Sequence, residues 1–220
     1  MEKWTVMDII RRASTSARQK RFTLFQDLVA QKLRSTQKTL LRVLDVGGLE
    51  GYWRQVKLTE HDSLDITLLN LTAVPCAMKN IRSVVGDGRD MCCFSDGEFD
   101  IVFSNSVIEH VGGFTEQMQM AKEIQRVGQA YYVQTPNYYF PIEPHSFVPF
   151  LQFFPRWAKS FLVRHFTPKE RLMVDGFKEE ILNIQMLTRR QLMELFPGGH
   201  IWEEKVLGLV KSFIVYGGWE

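Results

Sequence analysis

Cysteine is scarce in this chain, and long apolar runs and a large excess of either charge are missing. Its 220 residues include only three cysteines, Cys76, Cys92 and Cys93. Three cannot all pair and sequence neighbours rarely bridge, so reduced thiols are expected. No Cys/His group has zinc spacing. No apolar run reaches the ~18–20 residues that cross a bilayer. Met1-Glu2-Lys3-Trp4 is not followed by a signal-peptide core, so a cytoplasmic protein is expected. Lys and Arg total 27 against 25 Asp and Glu, a net charge of +2, which gives no electrostatic case for nucleic acid. The chain has no internal repeat and no low-complexity tract. Its length and 45% apolar content suit one α/β domain with a sizeable core.

What is present is concentrated at Val43-Leu44-Asp45-Val46-Gly47-Gly48-Leu49-Glu50-Gly51-Tyr52-Trp53. An apolar run ends in an acid, and three glycines follow within five residues. That order predicts a buried strand, a tight turn and a helix start. Glycine admits positive φ and close approach of a ligand, and a helix start adds unpaired N–H groups. Strands are predicted near 41–46, 65–70, 82–86, 99–104, 130–135, 201–207 and 210–216, with helices over 5–12, 18–37 and 114–127. Thr72-Ala73-Val74-Pro75 leaves little room for a helix between the second and third strands. The last two strands, joined by a short turn at Gly208, must pair antiparallel. The expected fold is therefore α/β: a Rossmann-like, seven-stranded, mostly parallel sheet with a C-terminal antiparallel hairpin, helices on both faces and an aromatic insertion after strand 5.

Two further segments join the glycine turn: Gly86-Asp87-Gly88-Arg89-Asp90, and Phe99 to Val111 with Ser104-Asn105-Ser106 and Glu109-His110. In this order and spacing, the three resemble the class I S-adenosylmethionine-dependent methyltransferases, in particular the small-molecule, type 11-like branch. The resemblance implies S-adenosylmethionine as cofactor and S-adenosylhomocysteine as product. It assigns Asp45, Gly47, Gly48, Leu49 and Gly51 to the turn that passes the methionine part. The family pattern is acid-x-Gly-x-Gly-x-Gly, and here Leu49 stands at the middle glycine. Asn70 falls where the family carries a ribose-binding acid; it is either a ribose ligand or a strand-end turn residue. Leu71 would then lie against the adenine. Asp87 would accept the adenine amino group with Gly88 beneath the base, unless Gly-Asp-Gly is simply a turn. Ser104 ends the fourth strand beneath the reactive sulfur. The Pro-Pro-Tyr type motif of nucleic-acid amino-methyltransferases is absent there.

Methyl transfer to oxygen calls for a base, and His suits neutral pH. The candidates are His110, which would otherwise brace the following helix, and His145 in Glu143-Pro144-His145. The domain divides into a helical cap (1–38), a cofactor-binding core (39–136), an insertion (137–185) and a closing helix and hairpin (186–220). The insertion crowds Tyr138, Tyr139, Phe150, Phe153, Trp157 and Phe161 among prolines. It has three readings: a lid over the acceptor pocket, satellite core, or a peripheral membrane contact through 147–166. The basic residues Arg11, Arg12, Arg18, Lys20 and Arg21 form either a solvated face or part of a cap over the site mouth. The favoured partner is a small-molecule, glycan or lipid-linked methyl acceptor, not a nucleic acid. Two other functions compete. A nicotinamide oxidoreductase would want Gly-x-Gly-x-x-Gly and an acid after the second strand, and Asn70 does not fit. The other is a non-catalytic protein on a cofactor-binding fold.

Overall fold

The computed structural model describes residues 6–59, 63–143, 146, 148–167 and 176–219, with backbone alone for 6–18 and 177. The elements run α1 (Val6–Thr36), β1 (Leu41–Val46), α2 (Glu50–Gln55), β2 (Leu64–Asn70), β3 (Ile81–Val85), β4 (Phe99–Asn105) and a 3-10 turn (Ile108–His110). There follow α3 (Phe114–Val127), β5 (Gly128–Pro136), a second 3-10 turn (Leu151–Phe153), α4 (Arg156–Phe166), α5 (Phe177–Asn183), α6 (Arg189–Leu195), β6 (His200–Val206) and β7 (Leu209–Gly217).

The seven strands form one sheet in the order β3-β2-β1-β4-β5-β7-β6. β1 to β5 pair in parallel, and β7 pairs antiparallel to both β5 and β6. Strand β1 alternates between two buried faces. Leu44 and Val46 join Val102, Met120, Ile124 and Leu192 beneath α3 and α6. Leu41 and Val43 join Phe25, Trp53, Phe103 and Tyr132 beneath α1 and α2. Burial on both faces explains why β1 reads as a nearly unbroken apolar run. The order reverses between β1 and β4, and the loops leaving their carboxyl ends bound the crevice where open α/β sheets take ligands.

The N-terminal segment departs from expectation. Two helices were predicted, and a single helix of 31 residues is found. The intervening Ala13-Ser14-Thr15-Ser16-Ala17 contains neither Gly nor Pro. Ser and Thr cost only tenths of a kcal/mol each in a helix, which is too little to break one that docks on a sheet. Phe25 of α1 sits within 5.1–6.3 Å, centroid to centroid, of Trp53, Phe103, Tyr132 and Trp219.

The insertion has its own small core of Val148, Leu151, Val163, Ile181 and Ile184. Most of its large rings lie outside that core, so satellite packing does not account for them. Glu143 is buried and accepts from the Ser146 amide at 2.5 Å and its hydroxyl at 2.6 Å. Gln152 donates to the carbonyls of Tyr138 (3.0 Å) and Phe140 (2.7 Å). The segment returns to the sheet after α5, where the Gln185 amide donates to the Glu109 carbonyl at 2.9 Å and the Tyr138 amide to the Leu187 carbonyl at 3.1 Å.

Candidate active site

The glycine turn is built around Asp45. Its carboxyl is buried at the end of β1, and Oδ2 accepts from the Trp53 indole N–H at 2.8 Å. Oδ1 is buried with no hydrogen-bond partner among the described residues. Burial pushes the carboxyl from an ordinary 3.8 up to about 7, against the opposing pull of the indole. Gly47 takes φ +76 and donates its N–H to the Leu69 carbonyl at 2.8 Å. Gly48 lies directly against the Asp45 carboxyl: a Cβ there would fall 1.7 Å from Oδ2. Leu49 has φ −128 and ψ 145, extended backbone that needs no glycine, and its side chain is exposed. The departure from the family pattern at this position therefore carries no backbone strain.

Asn70 supports the turn from β2: its amide N–H donates to the Gly48 carbonyl at 2.8 Å. A carboxylate could not make this bond, so an amide here has a structural reason. Leu71 follows it, exposed. Glu50, at the start of α2, accepts from the amides of Ala77 (2.5 Å) and Met78 (3.2 Å) and from Arg54 (2.5 Å), tying the turn to the β2–β3 connection. Those bonds hold its carboxyl below the usual range, the Ala77 amide contributing most.

Across the crevice Asp87 follows β3, and Gly88 lies against Val46. The Asp87 carboxylate already has a partner. Arg89 meets it with Nε at 3.0 Å from both oxygens and Nη2 at 2.6 Å from Oδ2, and its backbone N–H donates to Oδ1 at 2.9 Å. The guanidinium holds the carboxyl below its ordinary value.

At the end of β4, Ser104 is fully buried and donates to the Val46 carbonyl at 3.3 Å. It ties β4 to β1. Ser106 adopts φ +58 and donates to the Gln134 side chain at 2.7 Å. Asn105 accepts from Arg21 of α1 at 3.4 Å, which brings that helix to the carboxyl end of β4. His110 lies on the adjacent 3-10 turn, partly exposed, with Nδ1 3.5 Å from Glu180 of α5. Its neighbour Glu109 is buried and accepts from Thr135 at 3.1 Å. His145 lies outside the described residues.

The structure thus brings Asp45, Gly47, Gly48, Asn70 and His110 to the carboxyl ends of the parallel strands. Sequence reasoning missed Trp53, Glu50 and Arg89. Only Arg89 left a local sign, a cation two residues from Asp87.

A mostly parallel sheet of this order, closed by antiparallel strands and with a glycine turn at its switch point, defines a Rossmann-like methyltransferase fold. Residues 44–130 match the methyltransferase domain family. Over that stretch the chain is similar to methyltransferase domains. Two uncharacterized proteins of Mycobacterium tuberculosis, from strains CDC 1551 / Oshkosh and ATCC 25618 / H37Rv, are each 35% identical over 71 residues. That match covers 32% of this chain and 24% of each relative, about a quarter of their length. Among solved structures, WbdD, co-crystallised with the kinase inhibitor LY294002, superposes with a TM-score of 0.56 at 15% identity over 90% of this chain and 40% of that one. Magnesium protoporphyrin IX methyltransferase from Synechocystis PCC 6803, with bound SAH, gives 0.53 at 11% identity over 98% and 88%. At these identities the likeness is one of fold.

Proposed function

We propose that this protein binds S-adenosylmethionine in the crevice between the β1, β2 and β3 loops and transfers its methyl group to an oxygen of a small-molecule, glycan or lipid-linked acceptor. The observation that carries the reading is the orphaned Asp45 Oδ1, buried beside a glycine turn at the sheet's switch point. With the carboxyl pKa at about 7, a cationic ligand group would favour its ionised form and satisfy that oxygen, and the methionine end of the cofactor has an ammonium. The cofactor supplies an activated methyl group; the protein supplies placement and a base. Asn70, with its N–H committed to Gly48, offers its carbonyl oxygen to a ribose hydroxyl. Asp87 offers a carboxylate to the adenine amino group, in competition with Arg89. His110 takes the acceptor proton, and Glu180, 3.5 Å from its Nδ1, orients the ring.

Calorimetry with S-adenosylmethionine and with NADH tests this. Heat with the first alone is expected; heat with NADH alone would make the protein an oxidoreductase. Asp87→Ala should weaken S-adenosylmethionine binding by about 1–3 kcal/mol, the loss of a hydrogen bond to a charged acceptor. Asn70→Ala should cost less, because its partner is neutral. Unchanged affinity in both variants would overturn the ribose and adenine assignments. His110→Ala should slow methyl transfer about 10²-fold while leaving cofactor affinity as it was. Equal loss of both would reduce His110 to a brace for α3.

A further inference from the structure

The insertion exposes several large rings that the cofactor-site assignments above do not use. Trp157 is 77% exposed and Tyr139 65%, and Phe150, Phe153, Phe154 and Phe161 are exposed as well. Large apolar side chains exposed in such number within one short segment mark an interaction surface. Phe150 is held at φ +59, a conformation that bulky side chains avoid, with its ring outward. Tyr138, Tyr139 and Phe153 lie in mutual ring contact, at 5.2–6.5 Å. Trp157 and Phe161, four residues apart, share one face of α4, whose other side buries Ala158 and Val163.

The charge on α4 itself is one-sided, and the exposed acids Glu179 and Glu180 lie on the neighbouring α5. Helix α4 carries Arg156, Lys159, Arg164 and His165 and no acid. Arg156 is tied to Glu179 at 3.3 Å and Asn183 at 3.0 Å, while Arg164 is exposed at the rim of the Trp157–Phe161 face.

We propose that this aromatic face docks the protein on an anionic lipid bilayer, with Trp157 and Phe161 in the interface and Arg164 toward the headgroups. Trp, Tyr and Phe with basic neighbours are what an interfacial segment needs. A second copy of the chain fits less well, because a two-fold contact through this face would bring the basic residues of two α4 helices together. The buried Glu143–Ser146 and Gln152 ties hold the face together before it meets the lipid. The insertion also joins the carboxyl end of β4 through Gln185–Glu109. Resting on the function proposed above, docking here selects a lipid-borne acceptor among the three classes.

Co-sedimentation of the full chain with vesicles tests the docking without any methyl transfer. The protein should bind vesicles of equimolar phosphatidylcholine and phosphatidylglycerol at least about tenfold better than phosphatidylcholine alone. Trp157→Ser with Phe161→Ser should reduce that binding at least about tenfold, and Arg164→Glu about fivefold or more. Trp157→Phe should keep most of it. S-adenosylmethionine calorimetry on the same preparations reports the cofactor site separately, so loss of one property does not imply loss of the other. Failure of the wild-type protein to bind the mixed vesicles overturns the proposal, as does full binding by the double serine variant. So does a dimer in analytical ultracentrifugation that the double variant converts to monomer without any vesicle binding.

Discussion

Gly48→Ala is expected to destabilise the protein by about 3 kcal/mol or more and to abolish S-adenosylmethionine binding, whereas Gly51→Ala, three residues away, should do neither. The added methyl at position 48 would stand 1.7 Å from Asp45 Oδ2 and 2.1 Å from its Cγ. The carboxyl cannot withdraw, because it is buried and its Oδ2 is held by Trp53. The turn must move instead, and Asn70 is anchored to the Gly48 carbonyl. Overpacking of this kind costs ~1–3 kcal/mol where neighbours yield and more where they do not. At Gly51 nothing lies within 4 Å of the added Cβ, and the residue is helical. Alanine there should be neutral or stabilise by up to about 1 kcal/mol. Denaturant midpoints and calorimetry on both variants check the pair. Equal loss in both would mean that the family's glycine pattern, rather than the Asp45 contact, governs the turn.

The buried acid makes the second large effect a matter of pH. Between its ordinary 3.8 and about 7, Asp45 holds a proton in the folded protein that it lacks when unfolded. The folded state therefore binds more protons across that range, and stability falls as pH rises. A rise of about three pH units corresponds to roughly 4 kcal/mol, lost between about pH 4 and 7 and level above that. Acids such as Glu50 and Glu123, held low by their partners, act in the opposite direction at lower pH. The cleanest measurement is thus the difference between wild type and Asp45→Asn in urea unfolding at several pH values. Asparagine keeps the size and an acceptor for Trp53 but does not titrate. The difference should grow toward neutral pH in favour of the variant. A pH-independent difference would show that the carboxyl is ionised throughout.

Much of the sheet could be read from residues alone because its signals are local. Apolar runs such as Leu41–Val46 and Phe99–Ser104 are closed by turn formers, and Gly208 forces the last two strands into a hairpin. The glycine turn was legible for the same reason. What was not legible depends on partners distant in sequence. Nothing near Ser104 shows that its hydroxyl serves the Val46 carbonyl. Nothing near Asn70 shows that its amide is needed at Gly48. The break expected near Ser14–Ser16 failed because helix propensity is weak beside the docking of Phe25 and Leu28 on the sheet.

The position of β7 bears on how the chain assembles. It follows the other six strands in the chain, yet it lies between β5 and β6, and among the described residues β6 pairs with no other strand. The edge of the sheet beyond β5 therefore cannot close until residues 209–217 are available. The first helix depends on the same event. Lys32 of α1 donates to the Gly218 carbonyl at 2.8 Å, Arg21 lies 3.4 Å from Glu204 of β6, and Phe25 packs on Trp219. So the first helix in this order finishes docking only against the last of the seven strands. Contacts of such long sequence separation slow folding, and during that wait Phe22, Phe25 and Leu28 stay open to chaperones or to another nascent chain.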